Sequence, residues 1–150
     1  QWDPLSEGYL LVGCKSGNLH MYDVECKAVI QTFDPLPKSF GNLQALAWNP
    51  TAPGDFMSVS DKTGIVRIWN VSQPKPKDAL KAEAGPFNGF SFISDTQRAL
   101  CRFKSGAVGI LDLSRRTWLM FGRAAHTDTV FCAAFKPSDS NVLATCSFDG

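Results

Sequence analysis

The sequence predicts an all-β chain in which one four-stranded unit recurs about three and a half times, and three observations carry that prediction. The turn glycines Gly17, Gly64, Gly106 and Gly150 lie 47, 42 and 44 residues apart. Aromatic residues placed ahead of those turns, Trp2, Trp48, Phe92 and Phe135, keep the same period at 46, 44 and 43. After each glycine comes one pattern: apolar residues two and four places on, a bulky residue at five, Asp or Asn at six and an aliphatic at seven. It fits Gly17 to Val24, Gly64 to Val71 and Gly106 to Leu113, and Gly150 begins a fourth copy.

The first unit opens on Trp2-Asp3-Pro4, continues with the apolar run Tyr9 to Cys14, turns at Lys15-Ser16-Gly17 and runs on through Leu19, Met21, Tyr22 and Val24. Ala28 to Phe33 is its last expected strand. The following Asp34-Pro35-Leu36-Pro37-Lys38 breaks regular structure, because each proline removes a backbone donor and fixes φ. In the second unit Leu43, Leu46 and Trp48 form an apolar set, and Phe56 to Val59 is the next short strand. Ile65, Val66 and Ile68 are β-branched and suit a pleated strand. The polar run Ser72 to Lys77 reads as an exposed loop, since the repeat resumes on schedule after it. The third unit repeats the spacing with Phe87, Phe90 and Phe92, then Ala99 to Phe103, Lys104-Ser105-Gly106 and Thr117 to Phe121. The fourth runs from His126 through Val130, Ala133, Phe135 and Val142 to Cys146, and reaches Gly150 inside a hairpin.

A lone sheet of this size cannot bury both faces. Packing copies face to face around an axis does bury them, which is the β-propeller arrangement. The expectation is one partial propeller over residues 1–150, in units of about 1–34, 35–84, 85–125 and 126–150, the last truncated, with the missing strand and further blades beyond Gly150.

The composition is that of a globular chain, 44% hydrophobic and 19% charged, with a formal net charge of +1. That balance supplies no field suited to a nucleic-acid backbone or an anionic membrane, so neither partner is expected. Five cysteines without a C-x-x-C pair suggest a reducing compartment, and four of them sit in apolar runs, where a thiol behaves as a small hydrophobe. No run reaches the ~18 apolar residues of a membrane span, and the chain reads as soluble and intracellular.

The sequence resembles the WD-repeat propeller family, whose repeat of ~40 to 45 residues carries a Gly-His near its start and a Trp-Asp at its end. The dipeptide positions here read Tyr22-Asp23, Trp69-Asn70 and Leu111-Asp112, degenerate in each copy but in register along the whole chain. The resemblance implies a non-enzymatic scaffold that mediates protein-protein interactions as part of a larger complex, in the cytoplasm, with cytoskeletal or ciliary assemblies among its settings. It also implies a structural hydrogen-bond network in the fourth unit, His126 with Asp149 reaching a strand hydroxyl, assigned to Ser147. In the other units Ser39 and Glu83 replace the histidine, and Ser16, Thr63 and Ser105 replace the aspartate, so those blades are expected to rely on packing.

No G-x-S-x-G, G-x-x-x-x-G-K, G-x-G-x-x-G or H-E-x-x-H occurs, and no cofactor or metal is implied. His126 and Asp128 near Cys132 have the residue types of a thiol site but lack a third group to orient the base. The alternative function is a propeller enzyme or ligand-binding domain with its site in the central channel. It would need polar residues on the innermost strands, where the candidates Leu43, Leu46, Phe87, Phe90, Val130 and Ala133 are apolar.

One set of surface residues stands out. Lys15, Lys62 and Lys104 each sit two residues before a turn glycine, so they should share one rim, either as ordinary solvated turn residues or as an arc facing an acidic partner. Leu36 and Phe40, in the connection after the first unit, are expected on the same face as a contact patch or as a cap over the blade.

Overall fold

The computed structural model describes residues 1–5, 8–94, 96–121 and 125–150. Among the described residues regular structure is β, apart from a 3-10 turn at Lys38–Phe40. Strands β1 (Tyr9–Gly13), β2 (Leu19–Asp23) and β3 (Ala28–Thr32) form the first antiparallel sheet in that order. β4 (Leu43–Trp48), β5 (Asp55–Ser60), β6 (Ile65–Asn70) and β7 (Asp78–Lys81) form the second. β8 (Phe87–Phe92), β9 (Arg98–Phe103), β10 (Val108–Asp112) and β11 (Thr117–Met120) form the third, and β12 (Val130–Lys136) pairs with β13 (Asp139–Ser147) in the fourth.

This is the partial propeller that the ladders predict. The aromatic ladder marks the end of each innermost strand: Trp48 faces Phe56, Phe92 faces Ala99, Phe135 faces Leu143, and Trp2 makes an isolated bridge to Leu10. Trp2 thus occupies the corresponding place in the first sheet, which otherwise has three strands. β7, the outer strand of the second sheet, has no clear sequence signature, because Asp-Ala-Leu-Lys alternates weakly and stays half exposed.

Three cores fill the spaces between consecutive sheets, each built jointly by its two neighbours. Between the first and second, Leu11, Leu19 and Met21 meet Trp48, Phe56 and Trp69. Trp69 is fully buried, lies parallel to Phe56 at 5.8 Å, and donates its Nε1–H to Ser58 Oγ at 2.9 Å. Between the second and third, Met57, Val59, Val66 and Ile68 face Phe87, Phe90, Ala99, Cys101, Phe103 and Leu111. Leu100 and Val108 meet Val130 and Ala133 in the last space.

The cysteines depart from expectation. Cys101 alone is buried, and loss of solvent pushes its thiol up to about 12. Cys14 lies exposed beside a turn, while Cys132 and Cys146 face each other across β12 and β13 on the face that no further sheet covers. All five are free.

The turn glycines do not share one reason for being glycine. Gly106 has φ 85°, and a Cβ there would collide with the His126 carbonyl oxygen. Gly64 has no positive φ, but a Cβ would lie 2.6 Å from the Ala82 carbonyl oxygen and 2.8 Å from that of Gly85. Close backbone approach, not turn handedness, requires it. In urea denaturation, Gly106→Ala is expected to cost about 2 kcal/mol or more, combining strain with collision. Gly85→Ala, at φ 93° with open space around it, should cost about 1 kcal/mol from backbone strain alone. Equal losses would show that the contact with His126 contributes nothing.

Candidate interaction rim

The turns that carry Lys15, Lys62 and Lys104 are each anchored to the start of an innermost strand or to a neighbouring turn. The Lys15 carbonyl accepts from Leu43 N–H at 3.1 Å, tying the first turn to β4. Asn42, just ahead of Leu43, clamps Asp61 through its backbone N–H at 2.8 Å and its Nδ2 at 3.0 Å. Those bonds, and secondarily the charge of Lys104, hold the Asp61 carboxyl below its ordinary value. Lys104 Nζ donates to the Asp61 carbonyl at 2.9 Å, while the Lys104 carbonyl accepts from Thr129 Oγ1 at 3.2 Å. These bonds run continuously from the first turn through the second and third to the start of β12.

Lys15, Lys62 and Lys104 are exposed along this line. Lys104 spends one donor on the neighbouring turn, whereas the Lys15 and Lys62 ammonium groups make no hydrogen bond or ion pair among the described residues. Lys38, which sequence reasoning passed over, joins Lys62 around a shallow depression of ≈ 490 Å³ with Ser16, Asn42 and Asp61. Its place in a proline-flanked connection gave no repeat signal.

Leu36 and Phe40 do not lie on that surface. They are 7% and 2% exposed and belong to the core between the first two sheets. Leu36 N–H reaches the Gly17 carbonyl at 3.4 Å, and Phe40 lies beneath the Arg67 guanidinium, 5.0 Å from its centroid. Both therefore cap the blade and are unavailable as a contact patch; the 3-10 turn at Lys38–Phe40 folds Phe40 inward.

In the fourth unit His126 and Asp149 meet as expected, with Nδ1 donating to Oδ1 at 2.9 Å. The strand hydroxyl on the other ring nitrogen is that of Thr145, at 2.8 Å from Nε2. Ser147 instead donates to the Asp128 carbonyl at 3.0 Å and touches the ring pair only through Asp149 N–H at 3.4 Å. The alternation of β13 explains the correction: Thr145 and Ser147 share a face, but the histidine loop lies over the residue further from the turn.

The apolar residues of the innermost strands pack, as their sequence reading expects. Phe87, Phe90, Val130 and Ala133 are buried between sheets, with Leu43 and Leu46 half-buried beside them. The innermost strands share a β-bulge, which falls at Gln44, Asn88 and Phe131. Gln44 Nε2 donates to Asn88 O at 3.2 Å, and Asn88 Nδ2 donates to Val130 O at 2.8 Å, a polar tie between neighbouring strands. Bulge position had no signal in composition, since it holds two amides and an aromatic.

The opposite rim carries a cleft of ≈ 270 Å³ lined by Asn49, Asp55, Lys77, Asp78, Gln97 and Arg116. Its charges are consumed internally: Lys77 pairs with Asp55, and Arg116 with Asp78 at 2.7 Å. Among the described residues no group of three or more His, Cys, Asp or Glu is placed to hold a metal, and no helix is long and apolar enough to cross a membrane.

Three curated proteins align with much of the chain. A WD repeat-containing protein of Schizosaccharomyces pombe is 27% identical over 121 residues, covering 78% of this chain and 22% of that protein. The WD-40 repeat-containing protein MSI3 of Arabidopsis thaliana is 25% identical over 120 residues, 77% of this chain and 28% of its own length. The chain resembles WD-repeat proteins. Protein transport protein SEC31 of Chaetomium globosum is 23% identical over 159 aligned residues, 99% of this chain and 12% of its own. The chain thus spans less than a third of the length of each WD-repeat or transport relative it matches. No protein-family model matches it.

Asp149 makes acid stability a direct test of the His126 network. The Thr127 N–H above all, joined by the bond and charge of His126, holds its carboxyl below the ordinary value against the opposing effect of burial. A depressed folded-state pKa favours the ionised form, so its contribution is present above about pH 4 and is lost as pH falls through the folded value. Asp149→Asn is expected to flatten part of the acid limb of a Tm against pH profile. Asp61 and Asp112, also held low, should preserve the remainder. An acid limb identical to that of the parent chain would show that the pair is energetically idle.

Proposed function

We propose that this chain is part of a WD-repeat propeller that acts as a non-enzymatic scaffold, holding other proteins in an intracellular, cytoplasmic assembly through its lysine rim. The observation that carries the reading is the bonded line of turns that presents Lys15, Lys62 and Lys104 in sequence along one edge. The likeness to WD-repeat proteins supports a protein-interaction role of this kind. The rim meets acidic protein surfaces, where exposed charge steers encounter and selects partners more than it adds affinity.

One partial propeller, in units of about 1–34, 35–84, 85–125 and 126–150, takes its place in a longer ring. Support comes from the open faces of the first and last sheets, where Val29 and Cys146 are exposed. A central-channel enzyme or ligand site is the alternative. The amides at the inner edge that could serve it, Gln44 and Asn88, already hold the innermost strands together.

Immobilised chain and its Lys15→Glu/Lys62→Glu/Lys104→Glu form are to be compared for the proteins they retain from a cell extract. The charge-reversed form, with thermal unfolding unchanged, should lose acidic proteins that the parent retains. An identical retained set would remove the rim from the function.

A further inference from the structure

Two successive joints on the rim are closed differently. Between the second and third sheets Lys104 Nζ crosses to the Asp61 carbonyl at 2.9 Å. Lys62 holds the same place one unit earlier, two residues before its glycine, and the carbonyl that corresponds to Asp61 in the first turn is that of Cys14. That carbonyl accepts from Gly17 N–H at 2.9 Å, and Lys62 forms no bond across the gap. The joint between the first two sheets is therefore left open as the depression of ≈ 490 Å³. Its walls are the first turn at Ser16, the connection at Lys38, Gly41 and Asn42, and the second turn at Asp61 and Lys62, all interior to the sequence.

Gly41 brings these walls together. It has φ 90°, and a Cβ there would lie 2.4 Å from Lys62 Cβ and 2.8 Å from Asp61 Oδ1, so the connection presses directly on the second turn. Gly41 N–H also closes the 3-10 turn on the Lys38 carbonyl at 3.3 Å, which sets Lys38 and Lys62 around one hollow. Asp61 is its one carboxylate, and both oxygens accept from Asn42, at 2.8 and 3.0 Å. The Lys38 and Lys62 ammonium groups form no hydrogen bond or ion pair among the described residues. Two unpaired cations from different elements, facing one concave surface, fit a compact dianion. Lysine meets phosphate as a point charge, whereas a flat carboxylate is matched best by the arginine fork, and no arginine lines the hollow.

We propose that the hollow between Lys38 and Lys62 is a docking point for a phosphorylated serine or threonine on a segment of a partner protein. The inference rests on the rim reading above and adds the group recognised there, through Lys38, which that reading does not use. A phosphate ester carries about two negative charges and three acceptor oxygens, enough to engage both ammonium groups at once. Nucleic acids and anionic membranes present phosphates in rows, and a chain of net charge +1 offers no broad basic surface to match them.

Three labelled peptides that differ only at one central residue, phosphoserine, glutamate or serine, test this by fluorescence polarisation. The parent chain should bind the phosphoserine peptide at least about tenfold more tightly than the glutamate peptide. Lys38→Gln and Lys62→Gln should each remove most of that preference, and Lys15→Gln, outside the hollow, should retain it. No binding of the phosphoserine peptide by the parent, or a preference that survives both Lys38→Gln and Lys62→Gln, would overturn the proposal. Equal binding of the phosphoserine and glutamate peptides would overturn it too, and would leave the rim reading standing if the triple charge-reversed form still loses acidic proteins from the extract. Tighter binding of phosphoinositide-containing vesicles, or of a single-stranded oligonucleotide, than of the phosphoserine peptide would likewise overturn it. Both lysines are exposed, so their substitution should not disturb folding, which parallel thermal unfolding checks.

Discussion

Everything in this chain depends on the need of a small sheet to bury two faces at once. Strands of four to six residues dominate the first three sheets, and among the described residues no α-helix covers any of them. Each core is therefore shared. Trp69 shows the principle: it leaves its own sheet to pack with Phe33 from the preceding one, their rings 5.8 Å apart, while its indole N–H remains satisfied inside the second sheet by Ser58. A buried indole without that hydroxyl would carry an unpaired donor, at a cost of about 1–3 kcal/mol. Sheet order in space consequently follows order along the chain, and each sheet is stabilised by its immediate neighbours.

The same constraint explains why the rim is regular. Because consecutive sheets must pack closely, their turns come within backbone hydrogen-bonding distance, as the Lys15 carbonyl with Leu43 N–H and the Gly106 carbonyl with His126 N–H show. Main-chain atoms do part of the stitching, and the Asn42, Asp61, Lys104 and Thr129 side chains do the rest. The Lys15 and Lys62 side chains are left free to carry charge, and so they can serve recognition without weakening the joint.

What was legible in the sequence was whatever the backbone geometry imposes in every copy. The glycine ladder reports close approach or positive φ, the aromatic ladder reports the end of each inner strand, and the Trp69 position reports a core between sheets. Residues whose roles depend on tertiary direction were not legible. Leu36 and Phe40 look alike as surface patch or as core plug until the 3-10 turn points Phe40 inward. Choosing Thr145 over Ser147 needed the height of the histidine loop above β13, which no spacing encodes. Cys132 and Cys146 read as buried because an apolar run implies a cover, and the face they share has none in this chain.

The bulge in each innermost strand has an effect on how such a molecule can change. A bulged residue leaves the ladder of paired strands, so its identity is released from the alternation that governs its neighbours. Gln44, Asn88 and Phe131 occupy that place in three successive sheets, and the flanking pairs keep their register in each. Natural variation can therefore rewrite the inner edge one position at a time, exchanging an amide clasp for an aromatic surface, while the architecture that displays it is inherited intact.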